Sequence, residues 1–443
     1  MTNLAPGTNE RVYEVGELTR VEGEGSLRLR VRDGEIVEAR LGIFETPRYF
    51  EAIVAGKTPD EVIDVVARIC GICPVAYQMS AAHAFEDAFG IAIDPSARAL
   101  RRLLYCGEWI ESHFLHIYLL HLPDFLGYPS AIAMAADHKP AVEQALRGKK
   151  AGNELLRLLG GRPIHPVSVR VGGWSHAPRR AELLALRPAI AEALAIAQET
   201  VTLVSGLPMP AFAREPRLVS LRHPDEYPFN HGRIVSSDGI DIPLGDWRSV
   251  FEEHHVEGSN ALHARTRDGK GAYLLGPAAR ITLAGEQLHP LARAALDASG
   301  FAPLIRTNIY ASIVARAVEL VHACAEALDL IDAYRPPTEP LVPWTPRAGV
   351  AAWATEAPRG MLFHRYEVDD AGRIASAQIV PPTSQNQAAI EDDLVTAARE
   401  VLGMDHAAAT HRLEQMIRSY DPCISCATHF LDLTVEEIGR AHV

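Results

Sequence analysis

Six cysteines occur in this 443-residue chain, and four of them form two pairs at opposite ends. Cys70-Gly71-Ile72-Cys73 lies in the first fifth; Cys423-Ile424-Ser425-Cys426 lies near the finish, with His429 after it at ligand spacing. Thiolates are soft, electron-rich donors, so these residues invite a metal. A lone C-x-x-C is ambiguous between redox, zinc and accident. Two pairs separated by 350 residues can act together only if the fold brings both ends to one place. Three chemistries then compete. A structural zinc site uses four thiolates, but its ligand pairs normally lie within tens of residues of each other. A dithiol redox pair needs one C-x-x-C at a helix start in an α/β fold, which the sequence does not suggest. A catalytic soft-metal site uses all four, with supporting acids and room for substrate. The other cysteines, Cys106 and Cys324, stand alone in helix-like stretches and read as buried packing residues.

The elements that must position the thiolates are legible in outline. Period-two alternation over Leu27-Arg-Leu-Arg-Val-Arg, the turn pair Asp33-Gly34 and a return from Ile36 to Ile43 predict an antiparallel hairpin with one buried face. A second hairpin is expected from Leu362 to Val380, turning at Asp370-Ala-Gly372. If the two hairpins share a sheet, the terminal thirds are adjacent and both cysteine pairs lie near the junction. Between them, residues 77–89, 97–121, 141–159, 181–204, 287–298 and 307–333 repeat apolar residues at helical spacing. Pro208–Pro216 and Pro336–Pro346 are connectors. The expected fold is mainly α with a small antiparallel β-sheet (α+β). Residues 1–10 read as a flexible start, 11–429 as one intertwined catalytic domain and 430–443 as a C-terminal extension.

Bulk composition narrows the function. With 43 basic and 56 acidic residues the formal charge is −13, and no basic tract offsets it, which argues against nucleic acid or an anionic membrane as partner. No apolar run reaches the roughly 18 residues of a membrane span. The first ten residues lack the pattern of a secretory signal. Six cysteines in so long a chain are not a disulfide framework, and a reducing compartment fits best.

The flanks of the cysteines sharpen the reading. In order, the chain carries Leu18-Thr-Arg-Val-Glu-Gly-Glu-Gly25, Phe44-Glu-Thr-Pro-Arg-Tyr-Phe-Glu51, Ala67-Arg-Ile-Cys-Gly-Ile-Cys-Pro-Val-Ala-Tyr-Gln78 and Ser168-Val-Arg-Val-Gly-Gly173. Gly276-Pro-Ala-Ala-Arg280, Thr355-Glu-Ala-Pro-Arg-Gly360, Val380-Pro-Pro-Thr-Ser-Gln-Asn386 and Asp421-Pro-Cys-Ile-Ser-Cys-Ala-Thr-His429 follow. Over essentially the whole chain they resemble the large, catalytic subunit of nickel–iron hydrogenases. The resemblance is greatest to the cytoplasmic, NAD(P)-coupled branch that includes the sulfhydrogenases.

That resemblance implies roles. Cys70 and Cys423 would be terminal nickel ligands, with Cys73 and Cys426 bridging nickel to an iron that carries cyanide and carbon monoxide. Dihydrogen splits heterolytically, so a hydride acceptor and a base are both needed. The metals would take the hydride and Cys423 the proton, with Glu22 as the exit acid within hydrogen-bond reach. Glu24 stands where many members of that family have a histidine, which leaves open which of the two carboxylates does more. Arg359 would hang over the open coordination position as a permanent cation, with Asp421 as its partner. Pro358, Thr383 and Ser384 would line the cofactor, a hydroxyl donating to a cyanide. Glu51 and His429 would hold a second metal, magnesium or iron. Read on their own, His113, His116 and His121 are helix-packing histidines, and His254-His255 is polar surface.

No further cysteine set exists for iron–sulfur clusters, so electrons would leave through an iron–sulfur small subunit to flavin- and NAD(P)-binding diaphorase subunits. A deazaflavin, ferredoxin or polysulfide is the alternative acceptor. In this family an extension after the last histidine is removed by a maturation peptidase, which gives residues 430–443 a reading besides a plain surface helix. The rivals from other classes are a quinone-oxidoreductase-type subunit, which lacks the metal cysteines, and a zinc-stabilised scaffold.

Overall fold

The structure is a computed structural model whose described residues are 10–46, 48–269 and 271–428. His429 and the extension 430–443 lie outside them. Glu10, placed in the flexible start by sequence, instead opens β1 (Glu10–Val15). Its carboxylate accepts from Arg30 Nε and Nη2 at 2.9 and 2.7 Å. In β2 (Gly25–Arg32) the alternation buries Leu27, Leu29 and Val31 and turns the arginines outward. Asp33 and Gly34, at φ 51° and 84°, turn the chain into β3 (Glu35–Ile43). Positive φ at both central residues is the hairpin geometry an Asp-Gly pair favours. β2 is the central strand, with β1 and β3 antiparallel on either side.

Pro74, directly after Cys73, starts α1 (Pro74–Phe89). Proline's fixed φ suits a first helical turn, where its missing N–H goes unneeded. Asp94 caps α2 (Pro95–Phe114) by accepting the Ser96 N–H at 2.7 Å, and the helix continues through a π-helical turn, Leu115–His121. With α3 (Ala131–Gly160), α4 (Arg180–Ser205) and α5 (Ser312–Ala333), α2 closes a four-helix bundle in which each helix packs on two others. Small residues set the spacing: a Cβ at Gly152 on α3 would lie 2.7 Å from the Gly107 carbonyl oxygen on α2. Cys106 and Cys324 are fully buried in this bundle, as expected.

The second hairpin is part of another three-stranded antiparallel sheet, β4 (Gly349–Ala357), β5 (Gly360–Val368) and β6 (Ile374–Val380). After it come α6 (Pro382–Val401), α7 (His406–Ser419) and the short α8 (Ile424–Ala427). The expectation that the two hairpins share a sheet is wrong. α6 joins them by packing on both β3 and β5, and Gln387 Nε2 donates to the Leu41 carbonyl at 2.9 Å. Sequence reading missed α6, whose first turns bury Thr383, Ser384, Gln385, Asn386 and Gln387, so no apolar stripe marks its start, although Ile390, Leu394, Ala397 and Val401 form one further along. It also missed the short antiparallel strands between Val219 and Thr266, which stand where a mostly helical pattern was expected. The ends do meet. The Ile424 N–H donates to the Glu22 carbonyl at 2.8 Å, and Glu22 and Cys423 form a parallel bridge. Among the described residues no helix is long and apolar enough to cross a membrane.

Candidate metal centre

Cys70 ends the turn after the helix Pro59–Val66, Cys73 caps α1, Cys423 caps α8 and Cys426 lies within it. Each pair therefore brackets a helix start. The four sulfurs all lie within 4.8 Å of one another, and every one of these cysteines is at most 5% exposed. Cys70 Sγ is 3.4 Å from Cys423 Sγ, Cys73 Sγ is 3.8 Å from Cys426 Sγ, and the sulfurs of Cys423 and Cys426 are 2.7 Å apart. Hydrogen bonding from Cys423 holds the Cys70 thiol well below its ordinary range, whereas burial pushes Cys423 and Cys426 up. Among the described residues this is the one group of three or more ligand-type side chains gathered for a metal.

Glu22, not Glu24, meets the thiols. Glu22 Oε2 accepts from Cys423 Sγ at 3.0 Å and from the Ser425 N–H at 3.1 Å, while Oε1 accepts from the Ser425 hydroxyl at 2.5 Å. Burial, then the negative charge at Cys70, push the Glu22 carboxyl above its usual range. Glu24 points away and is exposed. The geometry thus sets a thiol and a carboxylate in contact, with the carboxylate tuned towards holding a proton.

Arg359 sits at the turn between β4 and β5, 2% exposed. Its Nε donates to the Asp421 carbonyl at 2.8 Å and its Nη2 to Asp421 Oδ1 at 3.0 Å. Burial opposes its charge, but Asp421 and the nearby cysteine sulfurs outweigh burial and keep it protonated. Thr383 Oγ1 accepts the Cys423 N–H at 2.9 Å, which leaves its own hydrogen to donate. Ser384 is fully buried, its hydroxyl 3.5 Å from the Ala427 carbonyl.

Sequence reasoning quoted Arg280 and Glu356 within motifs but gave them no role. Arg280 is wholly buried and uses all five N–H donors. Nε and Nη2 grip Glu319 at 2.7 Å each, Nη1 reaches Glu356 at 2.8 Å and the Ala357 carbonyl at 3.0 Å, and Nη2 also reaches the Pro358 carbonyl at 2.9 Å. Pro358 therefore contributes its carbonyl to the clamp that presents Arg359. One guanidinium balances one carboxylate. Burial raises both acids, yet Arg280 holds Glu319 at about 2 while Glu356 is pushed up to about 7. His113 Nε2 lies 3.1 Å from Glu319 Oε2 and His116 Nε2 lies 2.8 Å from the Arg418 carbonyl, so both are packing histidines. His254 and His255 are exposed on a strand.

Glu51 Oε1 accepts the Ile379 N–H at 2.6 Å. It lines a small cavity with Ile69, Ser425, Cys426 and Thr428. Its expected co-ligand His429 lies outside the described residues.

A nickel–iron group fits the residues present. Four soft donors converge in a site closed to water, where their combined negative charge requires a cation. Two buried polar atoms beside the sulfurs, Arg359 Nη1 and the Tyr77 hydroxyl, have no hydrogen-bond partner among the described residues. They are donors available to anionic ligands.

Comparison with known proteins agrees with this chemistry. A family model described as nickel-dependent hydrogenase matches residues 48–147 and 283–429. Sulfhydrogenase 1 subunit alpha of Pyrococcus furiosus is 33% identical over 430 residues, covering 95% of this chain and 98% of that protein. Sulfhydrogenase 2 subunit alpha of the same organism is 31% identical over 433 residues, covering 95% and 100%. The crystal structure of an NAD+-reducing NiFe hydrogenase in the H2-reduced state superposes with a TM-score of 0.86 at 27% identity, covering 95% of this chain and 99% of that one.

Proposed function

The chain belongs to the nickel-dependent hydrogenase family, and from that premise we propose that it reversibly cleaves dihydrogen in the cytoplasm and passes the electrons through an iron–sulfur small subunit to NAD(P). The observation that carries the reading is the meeting of four buried cysteine sulfurs, two from each end of the chain, with a carboxylate 3.0 Å from one of them. Cys70, Cys73, Cys423 and Cys426 would hold the nickel–iron group. When bound, that group polarises and splits dihydrogen and accepts its electrons. Cys423 Sγ takes the proton and Glu22 Oε2 receives it. Arg359, anchored by Asp421, supplies fixed positive charge at the site and needs no proton transfer to do so. Thr383 or Ser384 would offer a hydroxyl to a cyanide ligand on the iron.

Glu51 with His429 would hold a magnesium or iron ion. Residues 11–429 act as one catalytic unit, and a maturation peptidase removes 430–443. Flavin- and NAD(P)-binding diaphorase subunits complete the electron path, in keeping with the NAD+-reducing enzyme of similar fold. The alternative acceptors are a deazaflavin, ferredoxin or polysulfide. Elemental analysis and infrared spectroscopy of the complex purified under hydrogen test the reading. Nickel with iron, and bands from cyanide and carbon monoxide, are expected. Zinc alone, or no metal, overturns it. Hydrogen-dependent reduction of NAD, NADP, a deazaflavin and polysulfide, measured side by side, assigns the acceptor.

A further inference from the structure

Ser425 lies inside the second C-x-x-C, between two ligand positions, yet its side chain turns away from the sulfurs. Its hydroxyl is 2.5 Å from Glu22 Oε1 and 3.1 Å from Glu45 Oε2. A hydroxyl has one hydrogen and two lone pairs. Between two carboxylates it satisfies both contacts only when one carboxyl brings a proton of its own. The arrangement is therefore built to share a single proton among three groups. Glu45 is held for this contact. Its Oε2 also accepts the Glu24 N–H at 3.1 Å, and Arg48 Nη2 lies 3.9 Å from its Oε1. Arg48 further donates to the Ser425 carbonyl, so one guanidinium braces both ends of the contact. Close approach depends on Gly23 at φ 89°, where a Cβ would lie 2.4 Å from Glu45 Oε2. The Glu45 side chain is 18% exposed and so reaches the surface.

We propose that Ser425 and Glu45 form the onward proton route from Glu22 to the surface, an inference that rests on the hydrogenase reading above. The proton arrives on Glu22 Oε2 from Cys423 Sγ, and rotation of the carboxyl about its terminal bond carries it to the Ser425 side. The Glu22 O–H bond then breaks as a new O–H bond forms at Ser425 Oγ. The hydrogen already on Ser425 passes to Glu45 Oε2, from which water takes it. No electrons move, one proton enters and one leaves, and rotation of the hydroxyl resets the chain.

The experiment uses the assembled complex with Glu45→Gln, Ser425→Ala and Ser425→Thr, and with Glu24→Gln as a control on the exposed neighbour. Two reactions are compared under hydrogen. Conversion of para- to ortho-dihydrogen reads cleavage and recombination, and exchange of D2 with H2O reads proton exit. Glu45→Gln and Ser425→Ala should slow exchange at least tenfold while conversion stays within twofold. Ser425→Thr and Glu24→Gln should exchange as the unmodified complex does. Acetate added to Glu45→Ala should restore exchange at least threefold, which a merely structural role would not allow. Exchange within twofold of normal in both Glu45→Gln and Ser425→Ala overturns the route, since Glu22 then delivers to water directly. Parallel loss of both reactions with nickel and iron retained also overturns it. An unmodified complex without nickel, or inactive in both reactions, overturns the hydrogenase reading instead.

Discussion

Replacing Arg280 tests whether Arg359 is presented by a buried clamp or by its own turn. In the native chain five guanidinium N–H groups meet Glu319, Glu356 and the carbonyls of Ala357 and Pro358, and the guanidinium lies 4.3 Å from the centre of the Trp109 ring. Arg280→Lys keeps the charge but concentrates three donors on one nitrogen, so at least two buried acceptors lose their partners. Each unmet buried group costs about 1–3 kcal/mol, giving a loss of about 4 kcal/mol. Arg280→Met removes the charge as well and leaves Glu319 buried without a counter-ion, a change of about 3–5 kcal/mol for a broken buried pair. Urea unfolding followed by tryptophan fluorescence should show both midpoints lowered by about 1 M, taking a slope of about 3 kcal/mol per M or more for a chain of this size. Hydrogenase activity should fall in Arg280→Lys with nickel and iron still bound, because the Pro358–Arg359 turn loses its anchor. A midpoint within about 0.3 M of normal, or full activity in Arg280→Lys, would refute the clamp.

Three further outcomes follow from the same geometry. Glu22→Gln should keep nickel and iron but slow D2 exchange by about 10²–10⁴-fold, the range for a positioned acid–base group, as measured by mass spectrometry of the evolved gas. Arg359→Lys cannot make both the Nε contact to the Asp421 carbonyl and the Nη2 contact to its carboxylate, so hydrogen oxidation should drop about 10²–10³-fold while metal analysis stays unchanged. Acid should unfold the protein through Glu86, Glu319 and Glu326, each opposed by burial but held at about 2 by Arg101, Arg280 and Arg102 respectively. A folded value below the ordinary 4.5 means the unfolded chain binds the proton first, so this stability is fully present above pH 4.5 and is lost as pH falls towards 2. Each carboxylate contributes about 3 kcal/mol over that window, and Glu86→Gln should remove one proton from the slope of urea midpoint against pH.

What the sequence made legible was chemistry fixed by residue type and short spacing. The four cysteines could be picked out by type and spacing, Glu22 only through the resemblance its Arg-Val-Glu-Gly motif carries, and the folded chain brings all five together. The hairpin at Asp33-Gly34 was equally readable, since a local turn rule and alternation agree. Long-range selection was not. Arg280 finds Glu319 and Glu356 across 39 and 76 residues, and nothing local distinguishes a buried guanidinium from a surface one. Ser425 was given no role by sequence, because the orientation of a hydroxyl within a ligand loop is decided by the folded backbone. The sharing of one sheet by both hairpins failed because α6, whose first turns bury polar side chains, stands between them and supplies the contacts.

The position of the second cysteine pair has a physical consequence for the whole molecule. Residues 421–428 contain only the four-residue helix α8, too short to hold itself together. Their place is set by distant partners: Glu22 on the Ile424 N–H, Arg48 on the Ser425 carbonyl, Thr383 on the Cys423 N–H, Arg359 on Asp421 and Ala261 bridged to Thr428. Cys423 and Cys426 therefore reach Cys70 and Cys73 only when this segment has docked against at least five separate stretches of chain. Docking also brings sulfurs to within 2.7 Å in a buried site, which four thiolates tolerate only by holding protons or sharing a cation. A metal held by these sulfurs would displace those protons and would stabilise the docked segment by the same free energy with which the segment completes the site, so binding and docking would be one coupled equilibrium.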